Sequence, residues 1–186
     1  MKNSILNKKQ QQELLNIART SVENYIRSGR MPEFNIGDER LNRREGAFVT
    51  LHKKGKLRGC VGQIIPSGKA LWQVVRDMAV AAAVEDNRFS PVSAEELGEL
   101  KYEISVLSAP RKINNWQEIE LGKHGVIINK GLQSGVFLPQ VADETGWSKE
   151  EFLAQLCCQK AGLSADCYKN DANVELKIFT AQVFSE

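Results

Sequence analysis

One short stretch holds the residue types best suited to chemistry: Leu57-Arg58-Gly59-Cys60-Val61-Gly62. A thiol, a guanidinium and two glycines fall within six residues. The thiolate is the nucleophilic form of cysteine, and a nearby cation such as Arg58 favours it at Cys60. Covalent chemistry there also needs a base and a stabiliser of developing charge. The chain has two histidines, His52 and His124, and spacing does not choose between them as the base. The plainer reading is a small core cysteine beside a surface arginine, with His124 a hydrogen-bonded structural residue at a strand start. Gly59 and Gly62 weaken a strand and mark a place where something comes close to the backbone. They do not form a phosphate loop, because no Gly-Lys-Ser/Thr follows and no helix starts there. Further on, Glu85, Asp86 and Arg88 either border a cleft or form a local ion pair at a helix end. Gln140 follows Pro139 and either points its amide into a pocket or satisfies backbone.

The elements around these residues are readable from periodicity. A helical stripe of Leu14, Ile17, Ala18, Tyr25 and Ile26 predicts a helix over about residues 9–28, ended by Gly29 and Pro32. Residues 31–45 lack periodicity and form a long loop, a kind of segment that is often functional. A hairpin follows, from Gly46 to His52 and from Lys56 to Gly62. A three-residue turn, Lys53-Lys54-Gly55, would pair Leu51 with Leu57 and Phe48 with Cys60. It places Ala47, Val49, Leu51, Leu57, Gly59 and Val61 on one face, and Phe48, Thr50, His52, Lys56, Arg58 and Cys60 on the other. A two-residue turn would flip Arg58 and Cys60 to the apolar face, so the pattern favours three.

Ser67 is the expected N-cap of a second helix carrying Leu71, Trp72, Val75, Met78, Ala79 and Ala82. Ser93 and Glu96 form a capping box for a short third helix, and Tyr102 to Val106 alternates as a strand. Residues 110–120 read as irregular, anchored by Trp116. Gly125–Ile128 and Gly135–Leu138 are hairpin strands around a five-residue loop, with Pro139 ending the second. Ser148 and Glu151 open a further helix stopped by Gly162. Residues 174–183 form the closing strand. Recurrent hairpins without regular βαβ alternation predict an α+β fold on an antiparallel sheet flanked by helices.

The chain has 186 residues, 42% hydrophobic and 26% charged, which suits one soluble domain with a real core. No apolar run approaches the about 20 residues of a membrane helix, and no secretory signal opens the chain. A cytoplasmic protein without membrane partners is expected. A net charge of +2 does not by itself imply nucleic acid. Arg40, Arg43, Arg44, Lys53, Lys54, Lys56 and Arg58 do crowd one region, as a solvated hairpin edge or as an anion contact. The four cysteines and two histidines show no metal-ligand spacing, so no metal or cofactor is expected. Cys157, Cys158 and Cys167 read as small buried apolar residues in a reducing compartment.

A wider pattern emerges when the motifs are taken together. They are Gly46-Ala47-Phe48-Val49-Thr50-Leu51, the Leu57–Gly62 hexamer, Ala79-Val80-Ala81-Ala82-Ala83, Arg88-Phe89, His124-Gly125-Val126, Leu138-Pro139-Gln140-Val141-Ala142, Trp147, Leu156-Cys157 and Lys160-Ala161-Gly162-Leu163. In this the chain resembles the AMMECR domain family, whose bacterial and archaeal members are called AmmeMemoRadiSam system protein A. The resemblance covers nearly everything after the first helix. Asn87 departs from a proline usual before Arg-Phe, and Gln63 from a threonine usual after the hexamer.

The resemblance implies larger and smaller subdomains with a cleft lined by the hexamer. It implies action alongside a Memo-like protein and a radical SAM protein, on a small molecule or a partner. Carried over residue by residue, it suggests Arg58, Gly59, Cys60 and Gly62 as functional groups. The residues themselves add His124 or His52 as the acid/base partner of a catalytic Cys60, and Glu85, Arg88 and Gln140 as substrate-binding candidates. The alternative is a non-catalytic binding module, either a protein adaptor or a nucleic-acid binder. Nucleic acid has little support, for no helix-turn-helix, zinc finger or aromatic-rich sheet face is visible.

Overall fold

A computed structural model describes residues 5–65 and 68–186. The fold is α+β, with two four-stranded antiparallel sheets in place of the one expected. The chain divides into two compact units, one of residues 1–107 with 182–186 and the other of residues 108–181.

The first unit opens with helix α1, Lys8–Ser28. Asn7 and Gln10 cap it reciprocally, and Gly29 closes it in the left-handed conformation at φ 70°. Its sheet contains β1 (Gly46–Lys53), β2 (Lys56–Gln63), β3 (Leu100–Leu107) and β8 (Ala181–Ser185), in the order β2-β1-β3-β8. Helix α2 (Leu71–Val84) packs across β1 and β2, and α1 packs on α2 and β3. The N-cap expected at Ser67 lies outside the described residues. The observed N-cap is Ala70, whose N–H donates to Gln73 Oε1. The long loop completes this cap: Leu71 N donates to the Arg43 carbonyl and Trp72 N to that of Leu41. Its backbone therefore satisfies donors that a helix start leaves open.

The hairpin corrects the expected register. The turn has two central residues, Lys54 and Gly55, with Lys53 opposite Lys56. Both have positive φ, 51° and 74°, as the tight turn of a twisted hairpin requires. A bulge at Arg58 then shifts the pairing to Leu51 with Gly59 and Thr50 with Cys60. The shorter turn and the extra residue offset one another in parity. Val49, Leu51 and Gly59 therefore stay on the buried face, while Cys60 pairs with Thr50 rather than Phe48.

The second unit's sheet has the order β4-β7-β5-β6, from β4 (Arg111–Ile113), β5 (Gly125–Lys130), β6 (Gln133–Phe137) and β7 (Glu175–Phe179). Three further expectations are corrected here and one is extended. Part of the stretch read as irregular is β4, paired with β7. The β5–β6 turn has two residues, Gly131 and Leu132, since Lys130 pairs with Gln133. Pro139 also caps a short helix, α3 (Gln140–Thr145). The single closing strand is two strands, β7 and β8, that break at Thr180 and serve different sheets. Ser148 and Glu151 cap α4 (Lys149–Gln155), which runs into a π-helical turn, Leu156–Ala161, ended by Gly162. A last helical turn, α5, spans Cys167–Asn170. Phe152, Leu153, Leu156, Cys157, Val126 and Ile128 are among the residues of this unit's core.

Candidate functional site

Strand β2 lies at the edge of its sheet, so the N–H groups facing away from β1 need partners from elsewhere. Cys60 N finds one in Asp86 Oδ2 at 2.8 Å. Asp86 sits in the turn after α2, and its side chain is only 7% exposed. The same carboxylate accepts from Arg88 Nε at 2.9 Å and Nη2 at 2.7 Å, a two-pronged charge-assisted pair. Arg88, chiefly, holds the Asp86 carboxyl well below the usual carboxylate range, and the Cys60 N–H adds to this. Arg88 Nη2 also reaches the Cys60 carbonyl at 3.5 Å. Asp86 and Arg88 thus clamp the Cys60 peptide from both of its polar sides.

The Cys60 thiol is half-buried and accepts from Thr50 Oγ1 at 3.3 Å, across the register pair set by the bulge. Arg58 lies differently from the expectation that its charge serves Cys60. Its Nε and Nη2 donate to the two Glu96 oxygens at 3.0 and 2.9 Å, and Lys53 Nζ reaches Glu96 at 2.8 Å. Arg58 and then Lys53 hold Glu96 well below the usual range. The third guanidinium nitrogen, Nη1 of Arg58, is buried without a hydrogen-bond partner among the described residues. The Phe89 ring gathers both guanidiniums, Arg58 at 5.9 Å and Arg88 at 5.5 Å from its centroid. The result is a thiol, an aromatic ring and two anchored arginines on neighbouring elements of one unit.

The two glycines of the hexamer have an internal reason. A Cβ on Gly59 would strike the backbone carbonyl of Ala82 on α2, and one on Gly62 would strike the Phe48 ring. The close approach read from the sequence is that of a helix backbone and a side chain of this same unit.

This geometry can be set beside known proteins. The AMMECR1 family model matches residues 15–184. The chain belongs to the AMMECR1 family. It is 43% identical over 183 residues to a protein of Nanoarchaeum equitans, covering 93% of this chain and 98% of that one. It is 40% identical over 185 residues to a protein of Pyrococcus furiosus, covering 93% and 86%. It is also similar to the crystal structure of an uncharacterized protein from Pyrococcus horikoshii, with a TM-score of 0.84 and 37% identity, over 94% of this chain and 90% of that one.

Within this AMMECR1 chain, Arg58, Gly59, Cys60 and Gly62 lie together on β2, with Arg88 beside them. Glu85 is exposed at the end of α2, and the carboxylate that reaches Cys60 is that of its neighbour Asp86. His124 and Gln140 belong to the second unit. His124 is 8% exposed, its Nδ1 accepts from Glu120 N at 3.1 Å, and burial lowers its pKa. Gln140 is half-buried as the first residue of α3. The sequence puts Thr50 on the face of Arg58 and Cys60, but Phe89 and Glu96 were missed as neighbours of the site. Glu96 had a sequence signal, but its spacing from Ser93 accounted for it as a capping residue. It does accept from Ser93 N at 3.0 Å while also binding Arg58. No helix among the described residues is long and apolar enough to cross a membrane.

Proposed function

We propose that the Arg58–Cys60–Arg88 face of the first unit binds a small molecule bearing an oxyanion, with the Cys60 thiol in contact with it. We further propose that the chain acts in one pathway with a Memo-like protein and a radical SAM protein, as the resemblance implies. The observation that carries the binding reading is the Asp86 clamp. A nearly buried carboxylate fixes both the peptide of a half-buried thiol and the guanidinium beside it. An ordinary edge amide is satisfied by water and needs no such arrangement. Arg58 Nη1 adds a buried donor with no hydrogen-bond partner among the described residues, on an arginine that shares Phe89 with Arg88. A planar oxyanion suits donors of this kind.

The basic residues give nucleic acid less support than their number in the sequence suggested. Arg40 pairs with Glu45, Lys53 and Arg58 share Glu96, and Lys54 pairs with Glu99, so four of the seven basic residues already have a carboxylate partner. A phosphate-backbone binder should lose affinity steeply with salt.

The test is the rate of iodoacetamide alkylation at each cysteine of the native protein across pH, read by mass spectrometry. It is paired with complementation of a deletion strain by Cys60→Ser. The expected result is prompt labelling of Cys60, slowed by the small-molecule fraction of the host's extract, and loss of complementation by the variant. Unchanged labelling in the extract, together with full complementation, would remove the ligand-contacting role.

A further inference from the structure

The second unit holds a sulfur pair that the Cys60 site does not use. Cys157 and Cys167 are 0% and 4% exposed, and their Sγ atoms lie 2.8 Å apart. A disulfide bond is about 2.05 Å long, so little movement separates the two thiols from a bond. The sequence spacing of ten residues hides this, because it matches neither a Cys-x-x-Cys motif nor a zinc site. The contact is made by the backbone. The π-helical turn at Leu156–Ala161 carries Cys157, Gly162 reverses the chain, and α5 begins at Cys167. Single π-turns of this kind are rare and gather at functional sites.

The surroundings of the two sulfurs differ. Both belong to the unit's core, and burial pushes the Cys157 thiol well above the usual range, with Cys167 adding to the shift. Cys167 lines a groove of about 310 Å³ with Ser164, Asp166, Asp171 and Ala172. The Lys130 ammonium bonds Asp171 at 2.7 Å on the rim of that groove. It also lies near enough to Cys167 to interact with it electrostatically. Cys167 thus borders a groove with a cation nearby, and Cys157 does not line that groove.

We propose that Cys157 and Cys167 form a reversible dithiol–disulfide couple, oxidised by a peroxide that enters at Cys167. The Cys167 sulfur attacks one oxygen of the peroxide and the O–O bond breaks. Hydroxide leaves and takes up the Cys167 proton as water, and Cys167 becomes a sulfenic acid. The Cys157 sulfur then attacks that sulfur and the S–O bond breaks. The departing hydroxide takes the Cys157 proton as a second water. Two thiols and one hydrogen peroxide give one disulfide and two waters, with two electrons passing from the sulfurs to the peroxide. An external dithiol returns the two electrons by exchange. Cys158 is exposed and adjacent in sequence, yet it has no part in the couple.

The test uses the full-length reduced protein with graded hydrogen peroxide, followed by alkylation in denaturant. Intact mass and peptide maps are then read. The expected product keeps two alkylatable thiols of the four, Cys60 and Cys158, with a linked peptide pair containing Cys157 and Cys167. Dithiothreitol should restore all four. Full alkylation of Cys157 and Cys167 after peroxide has already oxidised Cys60 or Cys158 overturns the proposal, as does a link through Cys158. In Cys157→Ser, dimedone should trap a sulfenic acid at Cys167, and its absence there overturns the order of steps. The map of the unsubstituted protein decides the couple itself without any variant.

Discussion

Asp86 is the residue on which the candidate site turns. Its carboxylate makes a two-pronged pair with Arg88 and accepts the Cys60 N–H, in a nearly buried position. Replacing it with asparagine should cost about 1–3 kcal/mol of stability and release the Cys60 peptide. Chemical denaturation checks the first effect, and a changed alkylation rate at Cys60 the second. The pH dependence has a definite sign. The folded-state pKa values of Asp86 and Glu96 lie below their usual ones. Their contribution is therefore complete above the unfolded values of about 4 and is lost as pH falls toward the folded values. Unfolding midpoints at pH 7, 4 and 3 should fall, and Asp86→Asn should flatten that fall. Gly59 provides a contrast at the same scale. Gly59→Ala forces a Cβ into the Ala82 carbonyl, which cannot move without its helix, and should cost about 1–3 kcal/mol or more. Cys60→Ala should cost less, because that side chain is half-buried and the change removes an atom rather than adding one. Paired denaturation curves would decide the order.

The hairpin shows how elements place residues. A tight two-residue turn followed by a bulge at Arg58 sets Cys60 opposite Thr50 and turns Arg58 toward Glu96. The turn holds Lys54 at φ 51°, a conformation costly for a residue with a Cβ. Lys54→Asn suits such a turn and should stabilise the chain by about 0.5–1 kcal/mol without moving Cys60. A raised melting temperature with unchanged Cys60 labelling would be the outcome. The faces of this hairpin were legible in the apolar alternation of Val49, Leu51 and Val61. The pairing was not, because a turn one residue shorter and a bulge one residue longer leave the same alternation.

At the scale of the molecule, the second unit is inserted in the sequence between β3 and β8, which are neighbouring strands of the first unit's sheet. Residues 182–186 return to complete the first unit's sheet and core. Phe184 is 9% exposed in that core, Arg19 pairs with Glu186, and Gln182 bonds the backbone of Leu6. Phe184→Ala should therefore cost about 3 kcal/mol, felt first by the first unit. Fluorescence should report it at Trp72, which lies in the first unit, while Trp116 and Trp147 lie in the second. Equal and simultaneous loss at all three tryptophans would show that the units unfold as one.

The sequence alone determined what depends on neighbours along the chain. Helix α1 with its glycine stop, the Ser148 cap and the α+β class all follow from periodicity and end signals, which are local. The hexamer and the motifs after it also mark the family from sequence alone. Only the tertiary structure decided which side chains meet. Asp86 rather than Glu85 reaches Cys60, Glu96 rather than a ligand takes two nitrogens of Arg58, and Ala82 rather than a substrate explains Gly59. Closure of the closing strand's two halves into different sheets, and the meeting of Cys157 with Cys167, were equally hidden. Each is a contact between segments set by packing in three dimensions, and no local preference of the residues involved encodes it.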